Sequence, residues 1–513
     1  MLFTTFLSLS LACTITISSA QNASEIKEQL ALEGIPALIH GDSGYIAASQ
    51  AYNLRYTVEP IAIAYPTTSE QISTVVITGA DQKLNVVARS GGHSYIANGL
   101  GGTNGSLVVD LSQMKNITVD LETGNAIIEP GNRLGDVALA LNDAGRGLPH
   151  GRCTYVGIGG HSGFGGWGFA SRMWGMTLDN IISATVVLAN GSIVTASEDL
   201  NSDLYWAIRG SSASFGIVSS LEFHTHPVPS SATAFEFTWE MDIPTASAAF
   251  SAFQSWALNG SSIPPEFGGE IGFLKGQAYG QVEFAFLGNY FGLDDKFNET
   301  IAPFFGTLPT PDYANVTQGT WIEALTAIAA GNMNTSTQPD SNDTFYAKSL
   351  MAPESVPLTN DSMTALVTYL AEVGYNSSDF WHVEVELYGG SQSVINQIGL
   401  NDTAFAHRDT LFTFQPYASS PNLLPPYPDS GFDFVDGMVD SLTSHMPDDW
   451  QWGAYPNYIE DRLPDWQTRY YGSHYDHLRV LKAEFDPTDM FRFPTSIEER
   501  GNEQRRWVSM WNF

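Results

Sequence analysis

Two glycine-rich stretches constrain the fold of this chain more than any other feature. "SGGHSYIANGLGG" covers residues 90–102, and "PHGRCTYVGIGGHSGFGGWG" covers residues 149–168. Each stretch places one chemically capable side chain, His93 or Cys153, among glycines. Glycine has no Cβ, so the backbone that contains it can approach another group closely. The two loops therefore indicate backbone packed against something large and flat, or against a phosphorylated group.

The cysteine content makes the second loop more informative. The chain has 513 residues and two cysteines, and Cys13 lies in the apolar, uncharged stretch "MLFTTFLSLSLACTITISSA". This stretch ends in small residues and predicts a secretory signal peptide over residues 1–20. Its removal leaves Cys153 as the single thiol of the mature chain. An odd thiol in a secreted protein indicates an intermolecular disulfide, a buried inert group or a reactive group.

The net charge and the glycosylation sequons indicate the location of the protein and the partners it does not bind. Asp and Glu number 55 against 22 Lys and Arg, a net charge of -33, which argues against binding to nucleic acid or anionic lipid. No later stretch has eighteen uninterrupted apolar residues, so we expect no membrane span. About a dozen Asn-x-Ser/Thr sequons predict an N-glycosylated extracellular protein, which we expect to be a monomer. These sequons include Asn104, Asn116, Asn190, Asn259, Asn298, Asn342 and Asn401.

The chain is long enough for two or three domains, and the pattern of predicted strands and helices changes near Pro227. Residues 21–227 contain short βα units and a hairpin with an Asn190-Gly191 turn. Residues 228–445 alternate strands and helices, which predicts an antiparallel sheet covered by helices on one face. Residues 446–513 have a turn and a helix of their own. The fold class is therefore predicted to be α+β.

Two common ligand motifs fit this chain poorly. "GFGGWG" (residues 163–168) matches G-x-G-x-x-G, but it follows more glycine instead of a strand and lacks the later acidic residue of a dinucleotide fingerprint. The glycine run over residues 157–168 still offers backbone N–H groups that suit a diphosphate. His224 and His226 lie on one strand face without an evident third ligand, so we predict no metal site.

One strand carries paired carboxylates. In "WHVEVEL", Glu384 and Glu386 alternate onto one face while apolar residues occupy the other, so the carboxylates face either water or a cavity. Tyr455 and Tyr458 in "YPNYIED" have the composition of core aromatics. A tyrosine beside a glutamate in a dry site can act as a general base, and spacing alone leaves both interpretations open.

Several motifs, in order from about residue 55 to 500, together resemble one family. They are "ARSGGHSY", "GRCTYVGIGGHSGFGGWG", "DLYWAIRG", "YPNYIED" and "FDPTDMFRFPTSI". They resemble the berberine-bridge-enzyme-like flavoproteins of the vanillyl-alcohol-oxidase superfamily, and most closely the fungal gluco-, chito- and xylo-oligosaccharide oxidases. The resemblance implies an FAD-binding domain over residues 21–227, a substrate-binding domain over 228–445, and a segment over 446–513 that returns to the FAD-binding domain.

The resemblance also implies a bicovalent FAD. His93 would attach to the 8α-methyl group and Cys153 to C6 of the isoalloxazine, which would account for the single mature thiol. His161 matches a histidine that supports the flavin, and Gly151 matches a position where small residues admit oxygen. The implied cofactor contacts are Ser90, Gly91, Gly92, Ser94, Gly151, Gly157, Gly159, Gly160, His161, Gly163, Ile217 and Asn457.

For catalysis, the resemblance implies that Tyr458 takes the proton of the substrate's anomeric hydroxyl and that Glu386 lowers the pKa of Tyr458. The C1 hydride would pass to the flavin, dioxygen would be reduced to hydrogen peroxide, and the lactone would hydrolyse to an aldonic acid. Glu386 is one carbon longer than the aspartate of the glucooligosaccharide oxidases. The implied substrate contacts are Tyr95, Glu270, Glu384 and Gln415.

The sequence does not determine which sugar is oxidised or which electron acceptor is used. Glu384 and His382 stand where relatives carry glutamine and tryptophan, so the identity of the sugar is not predicted. A dehydrogenase that uses a quinone or another acceptor, and a same-fold oxidase of a secondary-metabolite alcohol or amine, are the alternative enzymes. A secreted glycoprotein that binds carbohydrate without turnover is the alternative outside catalysis.

Overall fold

A computed structural model describes residues 21–259 and 263–499 of the chain, and the predicted signal peptide over residues 1–20 lies outside this range. The described part mixes helices with one small mostly parallel sheet and larger antiparallel sheets, which confirms the α+β prediction. Within it, no helix has both the length and the apolar character that a bilayer crossing needs.

The N-terminal part contains a four-stranded sheet. Its order is β1 (Ala37–Leu38), β2 (Ala62–Ala64), β4 (Leu107–Asp110) and β3 (Val86–Arg89), with parallel pairing between β2, β4 and β3. Helix α3 (Ser69–Asp81) begins directly after Thr68, because the Thr68 side chain accepts a hydrogen bond from the N–H of Gln71. Residues 21–32 form helix α1, and α2 is Tyr45–Ala48.

A five-stranded antiparallel sheet follows. Its order is β5 (Ile117–Val119), β6 (Asn125–Ile128), β10 (Ile217–His224), β8 (Ile181–Val187) and β9 (Ile193–Ser197). Strands β8 and β9 form the hairpin predicted from Asn190-Gly191, and Gly191 has the positive φ of 80° that such a turn requires. The helices of this part are α4 (Leu134–Asp143), α5 (Ile158–Phe164), α6 (Ser171–Trp174) and α7 (Ser202–Ser211), and β7 (Arg146–Gly147) pairs with β11 (His226–Pro227).

The third sheet is the largest and is antiparallel throughout. Its order is β15 (Tyr313–Gly319), β12 (Ala232–Asp242), β14 (Gln281–Tyr290), β13 (Phe267–Lys275), β18 (Phe380–Leu387), β19 (Thr410–Ser419) and β16 (Phe345–Ala347), and β17 (Leu350–Pro353) also pairs with β19. Helices cover one face with aromatic side chains, as Phe253 stacked on Phe412 illustrates. These helices are α8 (Ile243–Ala257), α9 (Phe297–Phe305), α11 (Asn360–Tyr369) and α13 (Asp429–Thr443).

The C-terminal part packs back onto the N-terminal part. Helices α14 (Trp466–Tyr471) and α15 (Tyr475–Phe485) lead into a segment whose Met490 carbonyl accepts a hydrogen bond from the Val86 N–H at 3.1 Å. The fully buried Lys482 ammonium donates to the Ser214 carbonyl at 2.9 Å. The face of the largest sheet that is not covered by helices lies opposite the glycine-rich loops. The remaining short helices are α10 (Trp321–Ala327) and α12 (Val394–Gln397).

Candidate active site

A cavity of about 610 Å³ lies where the largest sheet meets the two glycine-rich loops. One wall comes from residues 87–99 and 151–161, and the other from β18, β19 and residues 455–459. Strand β18 directs Val383 and Val385 into the apolar core and Glu384 and Glu386 toward the cavity. Of the two open interpretations of the paired carboxylates, the cavity is therefore the correct one.

The two glycine-rich loops contact each other backbone to backbone. A Cβ on Gly91 would lie 2.3 Å from the amide nitrogen of Gly157, and a Cβ on Gly157 would lie 2.1 Å from that of Gly91. The Gly159 N–H also donates to Ser90 Oγ at 3.2 Å. Because no side chain separates the loops, they form a thin wall that a flat or phosphorylated ligand can approach closely.

His93 and Cys153 open onto this same cavity. The ring of His93 stacks on Tyr52 with 4.1 Å between ring centroids, and its Nε2 lies 2.6 Å from Asp340 Oδ2. The thiol of Cys153 is exposed to the cavity. Desolvation by the surrounding protein nevertheless raises the pKa of the Cys153 thiol to about 11. The positive charge of Arg152 acts to lower this pKa but does not outweigh the desolvation.

His161 lies behind the second loop and stays neutral. The N–H of Gly151 donates to His161 Nε2 at 3.1 Å, so the ring proton is on Nδ1. Burial lowers the pKa of His161 to about 3. The side-chain amide of Asn457 donates to the His161 carbonyl at 3.0 Å, which ties the loop to the turn Pro456–Tyr458.

Tyr458 and Glu386 form a hydrogen-bonded pair in the cavity. The Tyr458 hydroxyl donates to Glu386 Oε1, and Glu386 Oε2 has no hydrogen-bond partner among the described residues. Burial, then the charge of Glu386, raises the pKa of Tyr458 well above its ordinary value. The expectation that Glu386 lowers the pKa of Tyr458 is therefore wrong, because a neighbouring carboxylate disfavours a phenolate.

Glu386 is itself made more basic by its surroundings. Burial, then the charges of Glu270 and Glu384, raises its pKa well above that of an ordinary carboxyl group, although the hydrogen bond from Tyr458 acts in the opposite direction. A carboxylate with a raised pKa accepts a proton readily. The pair can therefore take a proton at Tyr458 while the phenol proton moves to Glu386.

Arg152 holds the acidic cluster together. Carboxylate oxygens of Glu270, Glu384 and Glu386 lie within 4.8 Å of one another, and the Arg152 guanidinium contacts Glu384 directly and Glu270 at 3.2 Å. Burial raises the pKa of Glu270 to about 8. For Glu384, burial acts to raise the pKa, but Arg152 outweighs it and the pKa is lowered. One cation and three carboxyl groups thus share this wall.

Aromatic side chains line the rest of the cavity. Tyr95 stacks parallel to Tyr458 with ring centroids 6.0 Å apart, and the Gln415 amide donates to the Tyr95 hydroxyl at 2.6 Å. His382 stacks on Tyr417 at 4.8 Å. Flat rings beside hydrogen-bonding groups are the kind of surface on which sugar rings bind.

The cavity brings together most of the site residues predicted from the sequence, and three lie outside its lining. Gly163 packs against Ser212, where a Cβ would lie 2.7 Å from the serine Cβ. Ile217 buries its side chain in the core between the lining residues Gly216 and Val218. Glu270 is 1% exposed and reaches the site through Arg152. The predicted residues that line the cavity are Ser90, Gly91, Gly92, His93, Ser94, Tyr95, Gly151, Cys153, Gly157, Gly159, Gly160, His161, Glu384, Glu386, Gln415, Asn457 and Tyr458.

Several residues of the site were not predicted from the sequence. Tyr52, Tyr417 and Asp340 come from segments without a motif, and only the fold brings them to the cavity or to His93. Arg152 did carry a signal, because it directly precedes Cys153 in the second glycine-rich stretch.

The residues present fit FAD. A Cβ on Gly91 or on Gly157 would clash with the opposite loop, and two side chains able to form covalent bonds open onto one cavity. The backbone N–H groups of glycine-rich loops suit a diphosphate, and the thin wall suits a planar ring system.

Comparison with known proteins agrees with this fit. The chain matches the FAD binding domain family over residues 60–197 and the "Berberine and berberine like" family over residues 454–498. It is 37% identical to the chitooligosaccharide oxidase of Gibberella zeae over 91% of this chain and 93% of that one. It is 35% identical to the xylooligosaccharide oxidase of Thermothelomyces thermophilus over 96% and 99%.

A solved structure extends the similarity to the cofactor. The chain superposes on the glucooligosaccharide oxidase of Acremonium strictum with a TM-score of 0.85, at 33% identity over 92% of this chain and 99% of that one. That enzyme is described with a 6-S-cysteinyl, 8α-N1-histidyl FAD.

Proposed function

This chain belongs to the berberine-bridge-enzyme-like family of FAD-linked carbohydrate oxidases, and from that premise we propose that it oxidises the reducing-end C1 hydroxyl of oligosaccharides. The product is a lactone that hydrolyses to an aldonic acid, and dioxygen is reduced to hydrogen peroxide. The observation that carries the proposal is the hydrogen bond between Tyr458 and Glu386 in the cavity that also exposes His93 and Cys153.

The cofactor would occupy the glycine-lined wall. His93 and Cys153 would hold it covalently, and backbone N–H groups of the glycine-rich loops would face its diphosphate. Bound FAD would supply the redox chemistry, because it accepts the hydride that leaves the substrate carbon.

The protein supplies proton removal and substrate position. The Tyr458 oxygen takes the proton of the anomeric hydroxyl while its own proton moves along the existing hydrogen bond to Glu386. Because the Tyr458 proton moves to Glu386 in the same step, Tyr458 does not have to be a phenolate beforehand, whereas Glu386 has to be a carboxylate. Tyr95 and Gln415 would face the reducing-end sugar, and the His382–Tyr417 stack would support the next ring.

The proposal is tested by the absorption spectrum of the purified protein. We expect yellow colour that stays with the acid-precipitated pellet and bleaches under nitrogen with cellobiose, lactose, xylobiose or chitobiose. Colour in the supernatant would contradict covalent attachment, and persistence of colour with every sugar would contradict the substrate class. Recovery of colour on admitting oxygen supports an oxidase, whereas recovery only with a quinone dye supports the dehydrogenase alternative.

The pH dependence of catalysis is expected to report on Glu386. This carboxyl group must be unprotonated to accept the Tyr458 proton, and its pKa is raised by burial and by Glu270 and Glu384. Activity is therefore absent below the raised pKa and gained as the pH rises through it, so kcat/KM should have an acid limb well above the ordinary carboxyl range. The measurement is kcat/KM for the preferred sugar from pH 4 to pH 10.

Glu270→Gln provides the matched control for this profile. It removes a like charge beside Glu386 and leaves Arg152 free to attract the remaining carboxylates, so both effects lower the pKa of Glu386. The acid limb should move to lower pH in this variant. An unchanged limb would show that a different group controls the profile.

We also propose that the protein is a secreted, N-glycosylated monomer. Of the seven sequons named above, the asparagines at positions 104, 116, 190, 259, 298 and 401 are solvent-exposed, and Asn342 is half-buried. Exposed asparagines are accessible to glycan transfer. The large negative charge also suits a soluble extracellular enzyme.

A further inference from the structure

A single segment, residues 330–343, lies beside both covalent attachment residues. At its start, the Thr154 N–H donates to the Ala330 carbonyl at 3.2 Å, and the Ala330 N–H donates to the Arg152 carbonyl at 3.0 Å, so the segment runs alongside Cys153. Near its end, Asp340 contacts His93. The segment therefore connects the two residues without belonging to either glycine-rich loop.

The segment is fixed along its length. The Tyr155 hydroxyl donates to the Gln338 carbonyl at 2.9 Å, and the Leu54 N–H donates to the Asp343 carbonyl at 2.7 Å. These bonds flank Asp340 on both sides. The Asp340 carboxylate is thus held in place by the backbone around it, unlike an exposed acidic side chain on a free loop.

The contact fixes both the orientation and the tautomer of His93. Asp340 Oδ2 lies 2.6 Å from His93 Nε2, and the ring is stacked on Tyr52 at 4.1 Å. Both side chains are largely buried, at 21% and 13% exposed. A carboxylate on one ring nitrogen keeps the proton there and leaves the other nitrogen with a free lone pair. That free nitrogen is Nδ1.

We propose that Asp340 is a positioning residue for the covalent attachment of FAD at His93. By holding the proton on Nε2, it leaves Nδ1 to bond the 8α carbon, and it stabilises the positive charge that develops on the ring. This inference rests on the proposed function for the presence of FAD. It assigns a role to a residue that is part of no glycine-rich motif and does not line the cavity.

The attachment step balances with the oxidant that the proposed reaction uses. A bond forms between Nδ1 of His93 and the 8α carbon, one C–H bond of that methyl group breaks, and the proton leaves to solvent. The two electrons of the broken bond remain on the flavin ring, and dioxygen takes them up together with two protons from solvent to give hydrogen peroxide. Asp340 remains a carboxylate throughout, hydrogen-bonded to the Nε2 proton.

The two attachments should depend differently on Asp340. Its side chain bonds His93 and the Ser341 N–H. Cys153 is instead held by the pairing of its neighbours with Ala330. Loss of the Asp340 carboxylate should therefore impair attachment at His93 and spare attachment at Cys153, so the cysteine reports on folding within the same molecule.

The test is Asp340→Ala, with peptide mass spectrometry that measures the flavin carried by His93 and by Cys153 separately. We expect the modified fraction at His93 to fall about tenfold or more while that at Cys153 stays near the wild-type level. Asp340→Glu should restore most of the attachment at His93, because it returns a carboxylate. Ser341→Ala is the matched control, since only its backbone N–H contacts Asp340.

The outcomes separate this inference from the proposed function. Wild-type flavin on His93 in Asp340→Ala would overturn the role of Asp340, and so would loss from both residues that Asp340→Glu fails to restore. Wild-type protein without flavin on either residue would instead contradict the proposed function itself.

Discussion

Replacing Tyr458 with phenylalanine is expected to lower kcat/KM for the preferred oligosaccharide about 100-fold or more, the usual effect of removing a general base. The substitution deletes the oxygen that takes the anomeric proton and leaves Glu386 without its hydrogen-bond donor. The ring itself remains, so its parallel stack with Tyr95 and the shape of the cavity are kept. The measurement is the anaerobic rate of flavin bleaching by the sugar, which isolates the oxidation of substrate from the reaction with oxygen.

Glu386→Gln serves as the partner variant. If Tyr458 and Glu386 move one proton as a unit, each single variant should lose nearly as much rate as the double variant, because removal of either member disables the pair. All three variants should retain covalent flavin, since neither Tyr458 nor Glu386 is hydrogen-bonded to His93 or to Cys153. Losses that multiply in the double variant would contradict the relay. A Tyr458→Phe variant with the wild-type rate would contradict the role of Tyr458 as the base, whereas a wild-type protein whose flavin no sugar bleaches would favour the carbohydrate-binding alternative.

Some features of the fold were predictable because a few neighbouring residues are enough to determine them. The threonine cap before helix α3 and the Asn190-Gly191 turn are each decided by a few neighbouring residues. The alternation of Glu384 and Glu386 along one strand fixes their common face, although the sequence cannot reveal what that face meets. The glycine-rich loops were also recognisable, since so many glycines in one stretch are costly unless close approach needs them.

The rest of the site depends on distant parts of the chain. Asp340 reaches His93 across 247 positions, and no local pattern predicts that contact. The pKa of Tyr458 could not be inferred from its motif either, because its direction depends on the burial of both partners. Arg152 shows the same limit: its position beside Cys153 was visible, but its contacts with Glu270 and Glu384 require β13 and β18 to pair.

Gly157→Ala is expected to disrupt both the fold of the site and the binding of flavin. The added Cβ would lie 2.1 Å from the amide nitrogen of Gly91, and backbone cannot rotate away as a flexible side chain can. Overpacking of a core typically costs 1–3 kcal/mol, and a clash between two backbones belongs at the upper end, so we expect the free energy of unfolding to fall by about 3 kcal/mol. Thermal unfolding and the flavin-to-protein absorbance ratio measure the two effects.

Gly160→Ala isolates the cause, because the two glycines are three residues apart and differ in what a Cβ would meet. At Gly160, within helix α5, a Cβ has no neighbour within 4 Å, and alanine is the better helix former by about 0.5–1 kcal/mol. In protein prepared without flavin, the melting temperature of Gly160→Ala should therefore equal or exceed that of the wild type, whereas that of Gly157→Ala should fall by several degrees. Equal melting temperatures for the two variants would contradict the close contact between the loops. A fall in Gly157→Ala alone would show that the glycine at this position is required by the neighbouring loop, because the same added methyl group meets the Gly91 backbone at position 157 and no neighbour at position 160.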